Sequence, residues 1–143
     1  MGRIVVGVDG SEHARRAVAW AVEEAKIRGA SVELSYAIND RDLPAWPAPH
    51  VVPTHEELEA AGRELLDEAL GSVDTGEVEV TTSTGSGSPA KRLCAAAEEA
   101  DADLLVVGAR GMGGFRGLLL GSVSQQVVAH APCPVVVVGP AHR

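Results

Sequence analysis

Ile4-Val5-Val6-Gly7-Val8-Asp9-Gly10-Ser11 decides the architecture. The first five residues form a short β-branched run. Such a run reads as a buried strand, because parallel strands covered on both faces need apolar residues without alternation. Asp9-Gly10 breaks the run, and Ser11 has the chemistry of a helix N-cap, with Glu12 well placed near the positive end of the helix dipole. Ala14, Ala17, Val18, Ala21, Val22 and Ala25 then recur at helical spacing until Gly29 ends the pattern.

The same unit repeats outward along the chain. Residues 31–38 alternate through Val32, Leu34, Tyr36 and Ile38 and predict a second strand. Pro44, Pro47, Pro49 and Pro53 mark residues 39–53 as a loop. Thr54-His55-Glu56-Glu57 has the form of a capping box and starts a helix through Leu58, Ala61, Leu65 and Ala69. A third strand is predicted over residues 77–83 and a turn over 85–88, with Ser88 capping a helix and Pro89 at its first position. Leu93, Ala96, Ala97 and Ala100 give that helix an apolar face. Asp103-Leu104-Leu105-Val106-Val107-Gly108 reads as the fourth strand, followed by a glycine-rich loop over 109–120 and a helix near 122–130. Pro132-Cys133-Pro134 ends that helix, and four valines, 135–138, form the last strand.

Strict alternation of strand and helix predicts one α/β domain over residues 1–143: a doubly wound parallel sheet with helices on both faces. Ligands of such sheets bind beyond the carboxyl ends of the strands, where strand order reverses. The loops after the first and fourth strands are therefore the candidates.

Composition narrows the function classes. The 143 residues are 45% hydrophobic but only 3% aromatic, so Val, Ala and Leu must fill the core. A formal net charge of −8 argues against nucleic acid or an anionic membrane as partner, since both reward clustered Lys and Arg. The longest apolar stretches fall far short of a membrane span. Met1-Gly2-Arg3 with only a short apolar run behind it is not a signal-peptide pattern, and Cys94 and Cys133 make no CxxC pair. A cytoplasmic protein is expected.

The segment Gly108-Ala109-Arg110-Gly111-Met112-Gly113-Gly114-Phe115-Arg116-Gly117-Leu118-Leu119-Leu120-Gly121-Ser122 lies between a buried strand and a helix start, where a phosphate site is built. Glycines let backbone N–H groups approach oxygens, the helix start offers unpaired donors, and Ser122 adds a hydroxyl. Arg110 and Arg116 are candidate counter-charges. No Gly-Lys-Ser or Gly-Lys-Thr occurs, so it is not a P-loop, and the glycines follow the wrong strand for a dinucleotide fingerprint. On spacing alone two readings stand: a turn whose glycines serve only geometry, and a phosphate cradle.

Asp9 likewise has two readings, orienting a ribose or a phosphate-bound Mg²⁺, or only capping the turn before the helix. His13, His50, His55, His130 and His142 show no ligand spacing, and His130 suits a helix C-terminus. Trp46 is a candidate cover for an adenine pocket, with an exposed loop as the alternative. No nucleophile, base and orienter form a visible set.

Three segments together resemble the universal stress protein family. Gly108-x2-Gly111-x9-Gly121-Ser122 is similar to the signature of its nucleotide-binding branch. Residues 4–11 resemble its first strand and loop, and 121–138 its ending. The resemblance implies a five-stranded sheet of order 3-2-1-4-5 that binds ATP and dimerises. It also implies that Asp9, with Gly10 and Ser11, sits beside the ribose and phosphates and carries any Mg²⁺. Gly108, Arg110 and Gly111 would line the ribose and phosphate path. Gly121, Ser122 and Val123 would hold the phosphates, and Ala37 would stand where relatives place a Val against the adenine. The expected function is a nucleotide-gated signalling module that takes ATP or AMP and hydrolyses slowly at most. The alternative is an ATPase or nucleotidyl-transferring enzyme on a related scaffold. A homodimer through the last strand is expected too, because four valines at a sheet edge are an aggregation hazard unless paired.

Overall fold

The computed structural model describes residues 2–38, 53–110 and 120–139. Its elements are β1 (Arg3–Gly7), α1 (Glu12–Arg28), β2 (Ser31–Ile38), α2 (His55–Gly71), β3 (Val80–Ser86), α3 (Pro89–Glu99), β4 (Leu104–Gly108), α4 (Ser122–His130) and β5 (Val135–Val138). The five strands are parallel in the order β3-β2-β1-β4-β5, the expected doubly wound sheet.

Ile4, Val5 and Val6 are fully buried because β1 is covered on both faces. Ile4, Val6, Val8, Leu34 and Val106 pack against alanines and valines of α1 and against Leu66 and Ala69 of α2. Val5, Leu105 and Val107 face the other way, onto Ala90, Leu93, Ala96 and Ala97 of α3 and Val127 of α4. Burying each such Val or Leu stabilises the fold by about 1.5–3 kcal/mol.

Local chemistry fixes most of the boundaries. Ser11 Oγ accepts the Ala14 N–H at 3.2 Å and caps α1, which ends at Gly29 in the left-handed region, φ 66°. Thr54 Oγ1 accepts the Glu57 N–H at 3.1 Å, the expected N-cap of α2. Ser88 stands at the N-cap of α3 but makes no side-chain cap bond.

β3 differs from expectation, lying three residues later than 77–83. The Asp74 carboxylate accepts the Gly76 N–H at 3.0 Å and the Val78 N–H reaches Thr75 O at 2.9 Å, so turns hold the chain through Val78 off the sheet, and Glu79 O is the first group to meet β2, accepting the Val32 N–H at 2.9 Å. The ladder with β2 instead runs on to Gly85 and Ser86, and the chain turns at Gly87, φ 129°. β5 occupies one sheet edge, pairing with β4, and its four valines are half-buried. Among the described residues no helix is long and apolar enough to cross a membrane.

Candidate functional site

β1 and β4 are neighbours, and from β1 the chain passes to β2 on one side and later to β4 on the other. Their carboxyl ends therefore form the switch point at which such sheets bind ligands. Three pieces of backbone meet there: the 9–11 turn, the end of β4 and the start of α4.

In the first piece Asp9 is exposed, and its Oδ1 accepts the Ser11 N–H at 2.8 Å. The same carboxylate joins burial, the larger cause, in pushing the Tyr36 phenol above its ordinary range. Gly10 has φ 84°, a conformation that favours glycine. Ser11 is buried, with its hydroxyl oxygen engaged in capping α1.

The second piece is fastened from several sides. A Cβ on Gly108 would lie 2.7 Å from the His13 carbonyl carbon and 2.9 Å from Ala14 N, so α1 approaches β4 as closely as glycine allows. The Ala109 N–H donates to Val138 O at 2.8 Å, and the Arg110 N–H donates to His13 Nδ1 at 3.3 Å.

In the third piece Gly121 is the N-cap of α4 and offers no side-chain cap. Its N–H donates to Ala109 O at 2.7 Å. The buried Ser124 hydroxyl lies 2.8 Å from Ala109 O and 3.0 Å from Gly121 O, a donor shared between two carbonyls. The first-turn amides of Ser122, Val123 and Ser124 have no carbonyl one turn back inside the helix. No acidic side chain sits in that turn, so the positive end of the dipole is not offset from within it. Ser122 is exposed, whereas the Val123 side chain packs into the core and leaves only its amide to act.

The structure thus gathers Asp9, Gly10, Ser11, Gly108, Arg110, Gly121, Ser122 and Val123 at one end of the sheet. Ala37 lies at the carboxyl end of β2, paired with Gly85 of β3 and separated from β4 by β1. Gly111, Arg116, Trp46, His50 and His142 lie outside the described residues. Sequence reasoning missed His13 and Ser124. Helical spacing hid His13 beside the expected cap, and Ser124 carried a faint signal in standing three residues after a glycine N-cap.

Among the described residues no three His, Cys, Asp or Glu side chains could together hold a metal ion. Asp9, with one oxygen engaged by the Ser11 amide, suits a Mg²⁺ ion that takes most of its ligands from phosphate and water. Cys94 and Cys133 are free thiols, and burial pushes both up, against redox reactivity.

The family model for the universal stress protein family matches residues 1–139. A universal stress protein of Mycolicibacterium smegmatis is 39% identical over 140 residues, covering 96% of this chain but 45% of that protein, so this chain spans about half of its length. A universal stress protein of Thermus aquaticus is 36% identical over 144 residues, covering 94% of this chain and 96% of the relative. Among solved structures, a universal stress protein in complex with cAMP is 32% identical, with a TM-score of 0.65 over 96% of this chain and 95% of that one. The universal stress protein of Archaeoglobus fulgidus in complex with dAMP is 26% identical, with a TM-score of 0.71 over 96% and 98%.

Proposed function

We propose, from the premise that this chain belongs to the universal stress protein family, that it binds Mg-ATP at the carboxyl ends of β1 and β4. It then acts in the cytoplasm as a nucleotide-gated signalling module. One observation carries the reading most: among the described residues the N-terminus of α4 has no side-chain cap and no acidic residue in its first turn, beside the ends of those two strands. Helix-start amides and the dipole suit phosphate in an otherwise acidic protein. The cAMP and dAMP complexes of its relatives support an adenine nucleotide as the ligand class.

In this reading the amides of Ser122 and Val123 and the Ser122 hydroxyl bind phosphate oxygens, and Gly108, Arg110 and Gly111 line the ribose and phosphate path. Asp9, flanked by Gly10 and Ser11, faces the ribose and the ion, and Ala37 borders the adenine. Mg²⁺, when bound, neutralises phosphate charge. The Ser11 and Ser124 hydroxyls are engaged with backbone groups, and among the described residues no hydrogen bond joins the Ser122 hydroxyl to a His, which favours slow hydrolysis at most over an efficient ATPase or nucleotidyl transferase.

The test is a thermal shift with calorimetry. ATP with Mg²⁺ at about 100 times its Kd should stabilise the protein by about 2.7 kcal/mol. No heat and no shift at millimolar ATP would remove the reading.

The same reading makes the protein a homodimer through β5. Among the described residues no strand pairs with the outer edge of β5, and pairing with a second copy about a two-fold axis would satisfy the edges of both. Val136→Lys, or Val137→Lys on the opposite face, should shift a folded protein from dimer to monomer in light scattering. A monomer already present in the unmodified protein at micromolar concentration would refute the dimer.

A further inference from the structure

We infer that His13 is a positioning residue for the nucleotide site, holding the end of β4 through the Arg110 amide only while its imidazole is neutral. This rests on the nucleotide-binding reading above and adds a regulation to it. His13 is half-buried on the first turn of α1, and its Nδ1 accepts the Arg110 N–H at 3.3 Å. Its Cβ would meet any side chain added at Gly108, so the first turn of α1 and the strand end lie close together.

An imidazole nitrogen accepts a hydrogen bond only when it carries no proton. Protonation turns Nδ1 into a donor and sets two N–H groups against each other. The other ties on this segment, Ala109 N–H to Val138 O and the Gly121 and Ser124 donors on Ala109 O, do not titrate. Of these ties, protonation of the imidazole would act on the Arg110 contact alone. Among the described residues, the charged groups within one helical turn of His13 or at the bonded amide are Asp9, Glu12, Arg15, Arg16 and Arg110. β4 and β5 bring only apolar side chains and Gly108.

The experiment compares the full chain with His13→Asn, whose side-chain oxygen can accept near the Nδ1 position without titrating, and with His13→Leu, which cannot accept. ATP affinity is measured at about pH 7.5 and 5.5, and ATP's own protonation is common to all three. On acidification the unmodified protein should lose about 3- to 10-fold more affinity than His13→Asn, the worth of one hydrogen bond. His13→Leu should be weak at both values. Without nucleotide, hydrogen exchange at the Arg110 amide, corrected for intrinsic rates, should follow the same order. The same pH profile in the unmodified protein and His13→Asn would overturn the role of His13 while leaving nucleotide binding intact. Arg110 protection that tracks residue 13 in a protein that binds no ATP would instead overturn the nucleotide reading, and with it the regulation.

Discussion

Gly121→Val is expected to lower ATP affinity by roughly 100-fold or more while leaving the fold intact by circular dichroism. Backbone strain is not the reason. Gly121 sits at φ −75°, ψ 174°, extended backbone that valine adopts readily, so a left-handed conformation is not what requires glycine here. The reason is space and donors. Gly121 is the last residue before the first-turn amides of α4, and in the proposed binding mode an isopropyl group there would crowd the approach of phosphate oxygens to them. Losing two charge-assisted hydrogen bonds at about 1.5–3 kcal/mol each accounts for the effect. The helix should lose about 1 kcal/mol from a poor N-cap residue, and overpacking at this buried position adds about 1–3 kcal/mol. Gly121→Ser is the informative contrast. Its hydroxyl oxygen would accept a first-turn amide itself and compete with the ligand, weakening binding without blocking it. A folded Gly121→Val protein that binds ATP as the unmodified protein does would place the nucleotide elsewhere.

Much of this architecture was legible because the physics behind it is local and periodic. Ile4, Val5 and Val6 could only be a strand covered on both faces, and Ser11 with Gly29 bracketed α1 by cap chemistry that needs no tertiary contact. β3 was misread by three residues for the opposite reason. Its polar sequence carries little pattern, and the strand is defined by the β2 ladder and by the Asp74–Gly76 turn. Ser88 sat at the right position, yet a cap bond depends on a rotamer that sequence does not dictate.

At the candidate site, the residue types suited to binding through backbone were readable as glycines and a helix start. The contacts that hold this backbone were not. His13 to Arg110 spans 97 residues, and Ser124 reaches Ala109 across a stretch with no periodicity. Gly108 was read as a residue lining a ligand path, and the structure adds a second demand on it.

That demand gives a large expected effect on stability. Gly108→Ala should destabilise the protein by about 1–3 kcal/mol, toward the upper end, as overpacked positions do. The added methyl would fall 2.7 Å from the His13 carbonyl carbon and from His13 Cβ, and 2.9 Å from Ala14 N. Two of those three atoms are backbone, so a rotamer change cannot clear them. Neither element is free to retreat. β4 is paired to β1 through Val6 and Val106 and to β5 at Gly108 itself, opposite Val138. α1 is fixed by Ala17 and Val18, both fully buried beneath it. Gly7 supplies the internal control, because a methyl there would meet the Leu93 side chain, whose Cδ1 at 2.7 Å can rotate away. Gly7→Ala should therefore cost distinctly less than Gly108→Ala in paired thermal melts. A shift of about 2–4 °C per kcal/mol, typical of domains near this size, makes the difference readable. If α1 must back away from β4, His13 moves with it, so Gly108→Ala should also weaken the Arg110 contact and speed exchange at that amide. Equal melting temperatures for the two variants would mean that α1 yields easily, and that Gly108 is glycine for a ligand rather than for the helix behind it.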